Sequence, residues 1–362
     1  MSTEFYPLAL SNVAKLTHEA TELTFSVPNE LKEKFQFTQG QHLTLKTQIG
    51  TEDVRRSYSI CSGVTEQQLK VAVKRIPEGL FSNFANDKIT KGMTLEVMPP
   101  QGHFYTELST THHKNYLFIA AGSGITPTLS HILSILAIEP DSKITLIFGN
   151  KSTTSMMFKE KLCFIKNENM DRFNWVNLFT EEEQDAQILN GRINAEKLED
   201  LHQANIINLS SFDDAFICGP EQMINELSIA LKQLKFDDAQ IHYELFYSGA
   251  TKQIQAQKQQ QRSEKYGHSS SQILLKVAGR KQQLNLESDG INILDAALEM
   301  GVDLPFSCKG GVCATCKAKV ISGKVEMDSN HSLTAQEIED GMILTCQSHP
   351  VSDFVEIDFD FT

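Results

Sequence analysis

Near the amino terminus, apolar residues alternate with polar ones in short stretches that end in turn residues. The clearest stretches are ELTFSVP (22–28), QHLTLKT (41–47), LKVAVKRI (69–76) and MTLEVM (93–98), and PPQG (99–102) breaks the pattern. Alternation places one face of a strand in the core and the other in water. Many such strands in succession predict an antiparallel sandwich or barrel over residues 1–110.

The pattern changes after this region. Three nearly unbroken apolar runs follow, NYLFIAAG (115–122), KITLIFGN (143–150) and DAFICGP (214–220). Segments with helical spacing, TPTLSHILSILAIE and EQMINELSIALKQL, come after the first and the third run. Strands that are apolar on both faces and alternate with helices predict a parallel α/β sheet over residues 111–250.

The segment 251–271 separates this region from the last part of the chain. It contains six glutamines, four serines and almost no large apolar residue, so it predicts a linker; an exposed helix is the alternative, because Gln, Ala and Lys favour helices. Residues 272–362 read as a final unit, in which QILLKVAG and KQQLNLES predict a hairpin. NILDAALEMG predicts a helix that ends at Gly301.

Length and charge narrow the function classes. A chain of 362 residues predicts two or three domains, and a net charge of −13 argues against nucleic acid or an anionic membrane as a partner. The sequence has no apolar run long enough to span a bilayer and no secretory leader, so we expect a cytoplasmic protein without disulfides. The final unit has 14 acidic residues against 7 Lys or Arg, which indicates a solvated face or a surface that steers a partner protein.

The cysteines near the carboxyl terminus carry the most specific signal. Cys308, Cys313 and Cys316 are spaced C-x4-C-x2-C, and Cys346 follows 29 intervening residues later. This spacing predicts a plant-type [2Fe–2S] site, in which four thiolates bind two irons and a glycine-rich loop lets backbone N–H groups approach the sulfurs. A structural zinc site is the main alternative, although zinc sites usually use two close C-x2-C pairs.

Three stretches in the first two regions have the residue types of a cofactor site. Arg56-Ser57-Tyr58-Ser59 offers a cation for phosphate, an aromatic ring for stacking and hydroxyls; a bland amphipathic strand would look similar. Gly79-Leu80-Phe81-Ser82-Asn83 predicts a helix start that could bind pyrophosphate, or simply a helix cap by Ser82. AGSGITP (121–127) ends a predicted parallel strand, where open α/β sheets bind ligands, but it is not a G-x-G-x-x-G fingerprint.

Taken together, RRSYSICS, PQGHF, IAAGSGITP, GNKSTTSMMF, FICGP and CKGGVCATCKAKV make the chain similar to a known family over nearly its full length. The chain resembles the ferredoxin–NADP reductase superfamily, and in particular the oxygenase reductases that carry a carboxyl-terminal plant-type ferredoxin domain. The resemblance implies an antiparallel β-barrel flavin domain, an α/β parallel-sheet nucleotide domain and an α+β β-grasp ferredoxin domain. It also favours FAD over FMN.

The resemblance further implies roles for single residues. The residues expected to act in electron transfer are Cys218 beside the hydride-transfer carbon, Thr126 near the flavin, and Ser59 at the flavin edge. The residues expected to bind FAD or the nicotinamide nucleotide are Arg56, Ser57, Tyr58, Ser59, Val73, Lys74, Gly79, Phe81, Ser82, Asn83, Gly122, Gly124, Thr126, Lys151, Gly219, Pro220, Glu244 and Phe246. The loop after the second parallel strand contains Lys151 and no acid, so NADPH is expected, with NADH as the alternative.

These parts predict an electron-transfer enzyme. Nicotinamides deliver a hydride and iron–sulfur centres accept single electrons, so we expect a path from NADPH through FAD and [2Fe–2S] to an oxygenase component. A reductase of a different ring-hydroxylating or diiron oxygenase is one alternative. A zinc-stabilised nucleotide-binding module without redox activity is the alternative from another class.

Overall fold

The structure, a computed structural model, describes residues 4–246 and 252–361, apart from the side chains of residues 252–256. It divides into two units, one that ends at Phe246 and one that contains the described residues from 252 onwards. Within the described ranges, no helix is long and apolar enough to cross a membrane.

The first part of the first unit is an antiparallel sheet of six strands. The strands are β1 (Tyr6–Thr17), β2 (Ala20–Ser26), β3 (His42–Ile49), β4 (Glu52–Ser59), β5 (Leu69–Lys74) and β6 (Thr94–Val97), with helix α1 (Leu80–Asp87) after β5. Their order is β4-β3-β6-β1-β2-β5, and a bridge between Ile60 and Val71 joins the two edges. Leu8 and Leu10 of β1 are buried while Pro7 and Ala9 are exposed, so alternation produces the barrel interior.

The second part of this unit is a parallel sheet flanked by helices. Its elements are β7 (Asn115–Ala121), α2 (Ile125–Ile138), β8 (Lys143–Asn150), α3 (Lys159–Glu168), β9 (Phe173–Phe179), α4 (Ala195–Gln203), β10 (Asp214–Gly219), α5 (Glu221–Gln233) and β11 (Ile241–Leu245). The order is β11-β10-β7-β8-β9, so the chain reverses direction across the sheet at β7. Tyr116 and Phe118 face one core and Leu117 and Ile119 face the other, which explains the unbroken apolar run.

The second unit is a small mixed sheet with helices. Its elements are α6 (Lys252–Tyr266), β12 (Ser270–Val277), β13 (Arg280–Glu287), α7 (Ile293–Glu299), β14 (Lys317–Ser322), β15 (Val325–Met327), α8 (Ala335–Glu339), β16 (Met342–Leu344), β17 (Ser348–Pro350) and β18 (Phe354–Asp358). The main sheet has the order β13-β12-β18-β14-β16, with β12 and β18 parallel, and β15 pairs with β17. The predicted hairpin is β12–β13, and the predicted helix is α7, after which Gly301 has a φ of +79°.

Residues 252–266, which the sequence predicts as part of a linker with an exposed helix as the alternative, form α6. The exposed-helix alternative is closer, but one side chain of this helix is almost fully buried. Arg262 is 6% exposed and forms an ion pair with Asp328, and Lys258 Nζ donates to the Asp328 carbonyl at 2.9 Å. The glutamine-rich composition favours a helix, and these contacts to Asp328 hold α6 against the rest of the second unit. Residue 251 lies outside the described residues.

Candidate functional site

The motif at residues 56–59 forms the carboxyl end of β4. The Tyr58 ring lies 5.3 Å from the ring of Phe81, which belongs to α1, and the two planes are tilted by 35°. Burial raises the pKa of the Tyr58 hydroxyl above its usual value, so this ring is a neutral stacking surface. Arg56 is exposed, and its Nη1 donates to the Arg55 carbonyl at 2.7 Å. The strand therefore presents an aromatic ring and a cation close together.

The glycine turn before α1 has the form expected of a pyrophosphate site. Gly79 is the first residue outside the helix, and no side chain caps the helix start. Ser82 does not act as a cap, because its Oγ accepts from the Ile76 amide at 3.1 Å and donates to the Gly79 carbonyl at 3.2 Å. Ser82 therefore shapes the turn and leaves the helix start for an anion.

Val73, Lys74 and Asn83 flank this turn in different ways. Val73 is fully buried, so only its backbone can meet a ligand. The Asn83 side chain accepts from Nη1 of Arg75, the residue after β5, at 2.8 Å. Lys74 Nζ lies 3.8 Å from the point where a Cβ on Gly122 would stand. The barrel thus places a cation beside the first turn of the parallel sheet.

The turn AGSGITP joins β7 to α2 and requires its glycines. Gly122 has a φ of +55°, which favours glycine. A Cβ on Gly124 would lie 2.1 Å from the Cys218 carbonyl oxygen, so only glycine lets this turn pass β10. The Thr126 hydroxyl donates to the Ser123 carbonyl at 3.0 Å and fixes the first turn of the helix. The turn lies at the carboxyl edge of the sheet, where the strand order reverses.

Cys218, Gly219 and Pro220 end β10 at the same edge. Cys218 is fully buried, and burial raises the pKa of its thiol well above the usual value. The thiol is therefore neutral and provides a small, polarisable packing surface. A Cβ on Gly219 would lie 2.5 Å from the flexible end of Met223, and Pro220 is the residue that directly precedes α5.

A hydrogen bond between two side chains joins the barrel to the carboxyl edge of the parallel sheet. Ser59 Oγ, at the end of β4, donates to Glu244 Oε2 at 2.8 Å. Glu244 lies on β11 in register with Cys218 on β10, so three residues from distant parts of the chain meet here. Burial raises the pKa of Glu244 to about 7, although the hydrogen bond from Ser59 opposes the shift. Phe246, two residues further on, packs against the neighbouring core.

Two acidic side chains from the loop after β9 lie beside the loop after β8. Lys151 Nζ lies 3.2 Å from Glu181, and both side chains are exposed. Thr153 donates to Glu182 through its amide at 2.7 Å and its hydroxyl at 2.6 Å, and these bonds lower the pKa of Glu182. Sequence reasoning missed both acids because they follow β9, although the run Thr-Glu-Glu-Glu at 180–183 directly after a strand is a usable signal.

In the second unit, the four cysteine thiols lie together as two pairs. Cys308 hydrogen-bonds with Cys313, and Cys316 hydrogen-bonds with Cys346. The hydrogen bond from Cys308 lowers the pKa of the Cys313 thiol below its usual value. Among the described residues, no group of three or more His, Cys, Asp or Glu side chains is arranged to hold a single metal ion. Two soft pairs fit a centre with two irons, each of which takes two thiolates.

The loop around the thiols is held by backbone geometry. The Gly310 amide donates to Cys308 Sγ at 3.3 Å, as the prediction of N–H groups near the sulfurs requires. Gly311 has a φ of +74°, and a Cβ there would lie 3.1 Å from Gln347 and from Ser329. Gln347 Nε2 donates to the Lys309 carbonyl at 2.9 Å, which ties the loop to the strand that follows Cys346.

Three family models match successive parts of the chain. An oxidoreductase FAD-binding domain matches residues 7–105, an oxidoreductase NAD-binding domain matches residues 118–228, and a 2Fe-2S iron-sulfur cluster binding domain matches residues 275–351. Their order is the order of the barrel, the parallel sheet and the mixed sheet. The third match rules against the zinc-stabilised module without redox activity.

Full-length relatives decide the family. One component of the 1,2-phenylacetyl-CoA epoxidase of Escherichia coli K12 is 43% identical over 99% of this chain and 98% of its own length. The ferredoxin reductase component of the 3-ketosteroid-9-alpha-monooxygenase of Rhodococcus rhodochrous is 32% identical over 97% of this chain and 96% of its own length. The chain belongs to the oxygenase reductase family. It is an oxidoreductase that transfers electrons from NAD(P)H through FAD to a [2Fe–2S] centre.

The fold of this oxygenase reductase also matches a solved structure. Phthalate dioxygenase reductase, described as a modular structure for electron transfer from pyridine nucleotides to [2Fe-2S], aligns with a TM-score of 0.59 over 98% of both chains at 19% identity. This confirms the predicted fold class of a flavin barrel, a parallel-sheet nucleotide domain and a ferredoxin domain.

Proposed function

We propose that this chain is the reductase of a phenylacetyl-CoA epoxidase and carries electrons from NADPH, through FAD and the [2Fe–2S] centre, to the oxygenase component. The observation that supports the partner is the 43% identity to the Escherichia coli epoxidase component over nearly the whole of both chains. Reductases of other oxygenases are less similar, at 32% for the ketosteroid monooxygenase component. The expected setting is the cytoplasm, with no nucleic acid or membrane partner.

We assign the FAD site to the barrel. Tyr58, backed by Phe81, forms the stacking surface, and Arg56 offers its guanidinium to a phosphate. The residues assigned to the remainder of the site are Ser57, Ser59, Val73, Lys74, Gly79, Ser82 and Asn83. Val73 contributes its backbone only, and Asn83 contributes through the helix start, because its side chain is engaged by Arg75.

We assign the hydride-transfer site to the contact of Ser59, Cys218 and Glu244. The chemistry that bound FAD supplies is the exchange of a two-electron hydride for single electrons. Cys218 excludes water with a neutral thiol. Glu244, whose pKa lies near 7, can hold a proton at Oε1 while its Oε2 accepts from the Ser59 hydroxyl at 2.8 Å. The residues assigned to nucleotide binding are Gly122, Gly124, Thr126, Lys151, Gly219, Pro220 and Phe246.

We assign the cluster to Cys308, Cys313, Cys316 and Cys346. Cys313, Cys316 and Cys346 are at least nine-tenths buried, whereas Cys308 is partly exposed. The edge of the loop near Cys308 is therefore the side from which single electrons leave for a protein partner.

The proposed preference for NADPH rests on Lys151, and an acidic neighbour of this lysine opposes it. A lysine after the second strand can attract a 2′-phosphate as a point charge. Glu181 already pairs with Lys151, which reduces this attraction. Lys151→Ala should lower kcat/KM for NADPH by about tenfold and leave NADH nearly unchanged. Lys232→Ala is the matched control, because Lys232 is also exposed and paired, with Asp238 at 2.7 Å. Equal losses for both nucleotides would refute the assignment.

Reconstitution tests the proposed partner. The anaerobically purified protein should be combined with the oxygenase components of a phenylacetyl-CoA epoxidase, and NADPH-dependent consumption of phenylacetyl-CoA should be measured. The control replaces the oxygenase by that of a ketosteroid monooxygenase. Turnover with the first and not the second supports the proposal. Turnover with the second alone, or with neither while cytochrome c is still reduced, would assign the chain to another oxygenase.

A further inference from the structure

We infer that Ser130 and Ser134 of α2 are positioning residues that set the distance between the flavin and the nicotinamide. This inference rests on the proposed hydride-transfer site. It concerns the interface between the barrel and the parallel sheet, away from the cofactor-binding residues assigned above. Both serines are fully buried, which is unusual for hydroxyl side chains and requires hydrogen-bond partners.

The two serines lie one turn apart on α2 and bind the segment that follows β4. Ser130 Oγ donates to the Ser62 carbonyl at 2.7 Å. Ser134 Oγ accepts from the Val64 amide at 3.1 Å and donates to the Ser130 carbonyl at 2.7 Å. Two backbone groups of the barrel are thus satisfied by side chains of the nucleotide domain. We call residues 61–66 the latch segment.

The latch segment fits this helix closely and is anchored at both ends. A Cβ on Gly63 would lie 2.8 Å from Leu133 Cβ, so glycine is needed for the close approach. Glu66 accepts from the Gly63 amide at 2.9 Å and from Lys161 Nζ, on α3, at 2.7 Å. On the barrel side, Ser62 Oγ accepts from the Lys70 amide at 3.3 Å. The latch segment therefore contacts both the barrel and the helices of the parallel-sheet part, and it cannot shift without breaking contacts to one of them.

The position of the latch segment in the chain gives it a role in the reaction. It begins directly after Ile60, next to Tyr58 and Ser59 at the end of β4. On the other side, Ser130 stands four residues after Thr126, which is about 6 Å along the helix axis. A shift at this contact is therefore passed on to both reacting partners over short, rigid paths. Because hydride transfer depends steeply on approach distance, a small displacement slows it strongly.

The test measures flavin reduction by NADPH in the holoprotein with stopped-flow absorbance. Ser130→Ala and Ser134→Ala should each reduce the limiting rate by about 5- to 50-fold. The dissociation constant for NADPH should change little, and single-electron transfer from photoreduced flavin to the cluster should keep the wild-type rate. Ser228→Ala is the matched control, because this helix serine of the same domain has a buried Oγ without a hydrogen-bond partner.

A second readout does not depend on turnover. Hydrogen–deuterium exchange of the latch segment should be about 3- to 10-fold faster in Ser134→Ala holoprotein, because the Val64 amide loses its acceptor. If a serine variant fails to fold, Glu66→Gln tests the same segment from its α3 side and should also slow flavin reduction. Wild-type reduction rates in these variants, or an equal loss in Ser228→Ala, would overturn the inference. A wild-type protein that NADPH and NADH both fail to reduce would instead refute the proposed function.

Discussion

Glu244 should make the stability of the first unit depend on pH in a direction opposite to that of most carboxylates. Burial raises its pKa from 4.5 to about 7, while the Ser59 hydrogen bond opposes the change. Between these two values the folded protein holds a proton that the unfolded chain has released. The contribution of Glu244 to the free energy of unfolding is therefore highest below pH 4.5, falls as the pH rises, and is lowest above about pH 7.

The size of this effect follows from the two pKa values. Each pH unit between them corresponds to about 1.4 kcal/mol, so the full difference is about 3 kcal/mol. Because the Glu244 side chain is only partly buried, solvent screening reduces the expected value to about 1–2 kcal/mol. Glu244→Gln cannot release a proton, so its stability relative to the wild type should rise by this amount between pH 5 and pH 8.5.

Thermal unfolding of the first unit in excess FAD measures this difference. The Tm of Glu244→Gln minus that of the wild type should increase by about 2–8 °C from pH 5 to pH 8.5. Glu226→Gln, which replaces another half-buried carboxyl on α5, is the control and should give the same difference at both pH values. A Tm difference for Glu244→Gln that does not change with pH would show that this carboxyl titrates normally, and the proton role of Glu244 would fall with it.

Three further changes test other parts of the molecule. Cys313→Ser should abolish the brown cluster absorption and reduction of the oxygenase, while ferricyanide reduction through the flavin persists; retained electron transfer to the oxygenase would contradict the assigned ligands. Gly124→Ala should raise the KM for NADPH at least about tenfold, because the added carbon meets the Cys218 carbonyl at 2.1 Å, and an unchanged KM would show that the turn can move. Arg262→Ala should destabilise the second unit by about 2–4 kcal/mol in urea unfolding followed by cluster absorbance, because the largely buried carboxylate of Asp328 loses one of its two charged partners. Lys265→Ala, which breaks an exposed pair on the same helix, should cost less than about 1 kcal/mol, and equal losses would refute the distinction.

The sequence predicted most strands whose apolar pattern is regular. The stretch 22–28 corresponds to β2 (Ala20–Ser26), and the three apolar runs correspond to β7, β8 and β10. It did not predict the twelve-residue strand β1, because irregular pairing near Leu10 and Lys15 interrupts its alternation. It also missed β9, in which Asn174 and Asn177 weaken the apolar signal.

For the candidate site, the sequence identified which residues have suitable chemistry, but it did not predict which of them contact one another. The cysteine spacing predicted the 2Fe-2S domain that the family model matches at residues 275–351, because three of the four cysteines lie within nine residues of one another. The contact between Ser59 and Glu244 joins residues 185 positions apart, and nothing local encodes it. Glu181, which pairs with Lys151, likewise belongs to a different part of the chain, the loop that follows β9. Contacts of this kind depend on strand order, which local periodicity does not determine.

The helix α6 changes where the electron-carrying module begins. Asp328, whose side chain is 20% exposed and which also pairs with the buried His349, would lose Arg262 if the chain were cut at residue 272. Gln259 Nε2 also donates to the Asp289 carbonyl at 2.8 Å, so the helix supplies neutral as well as charged contacts. A fusion of this ferredoxin domain to a different reductase should therefore include α6. Its sequence resembles a spacer, but the helix is part of the folded ferredoxin unit.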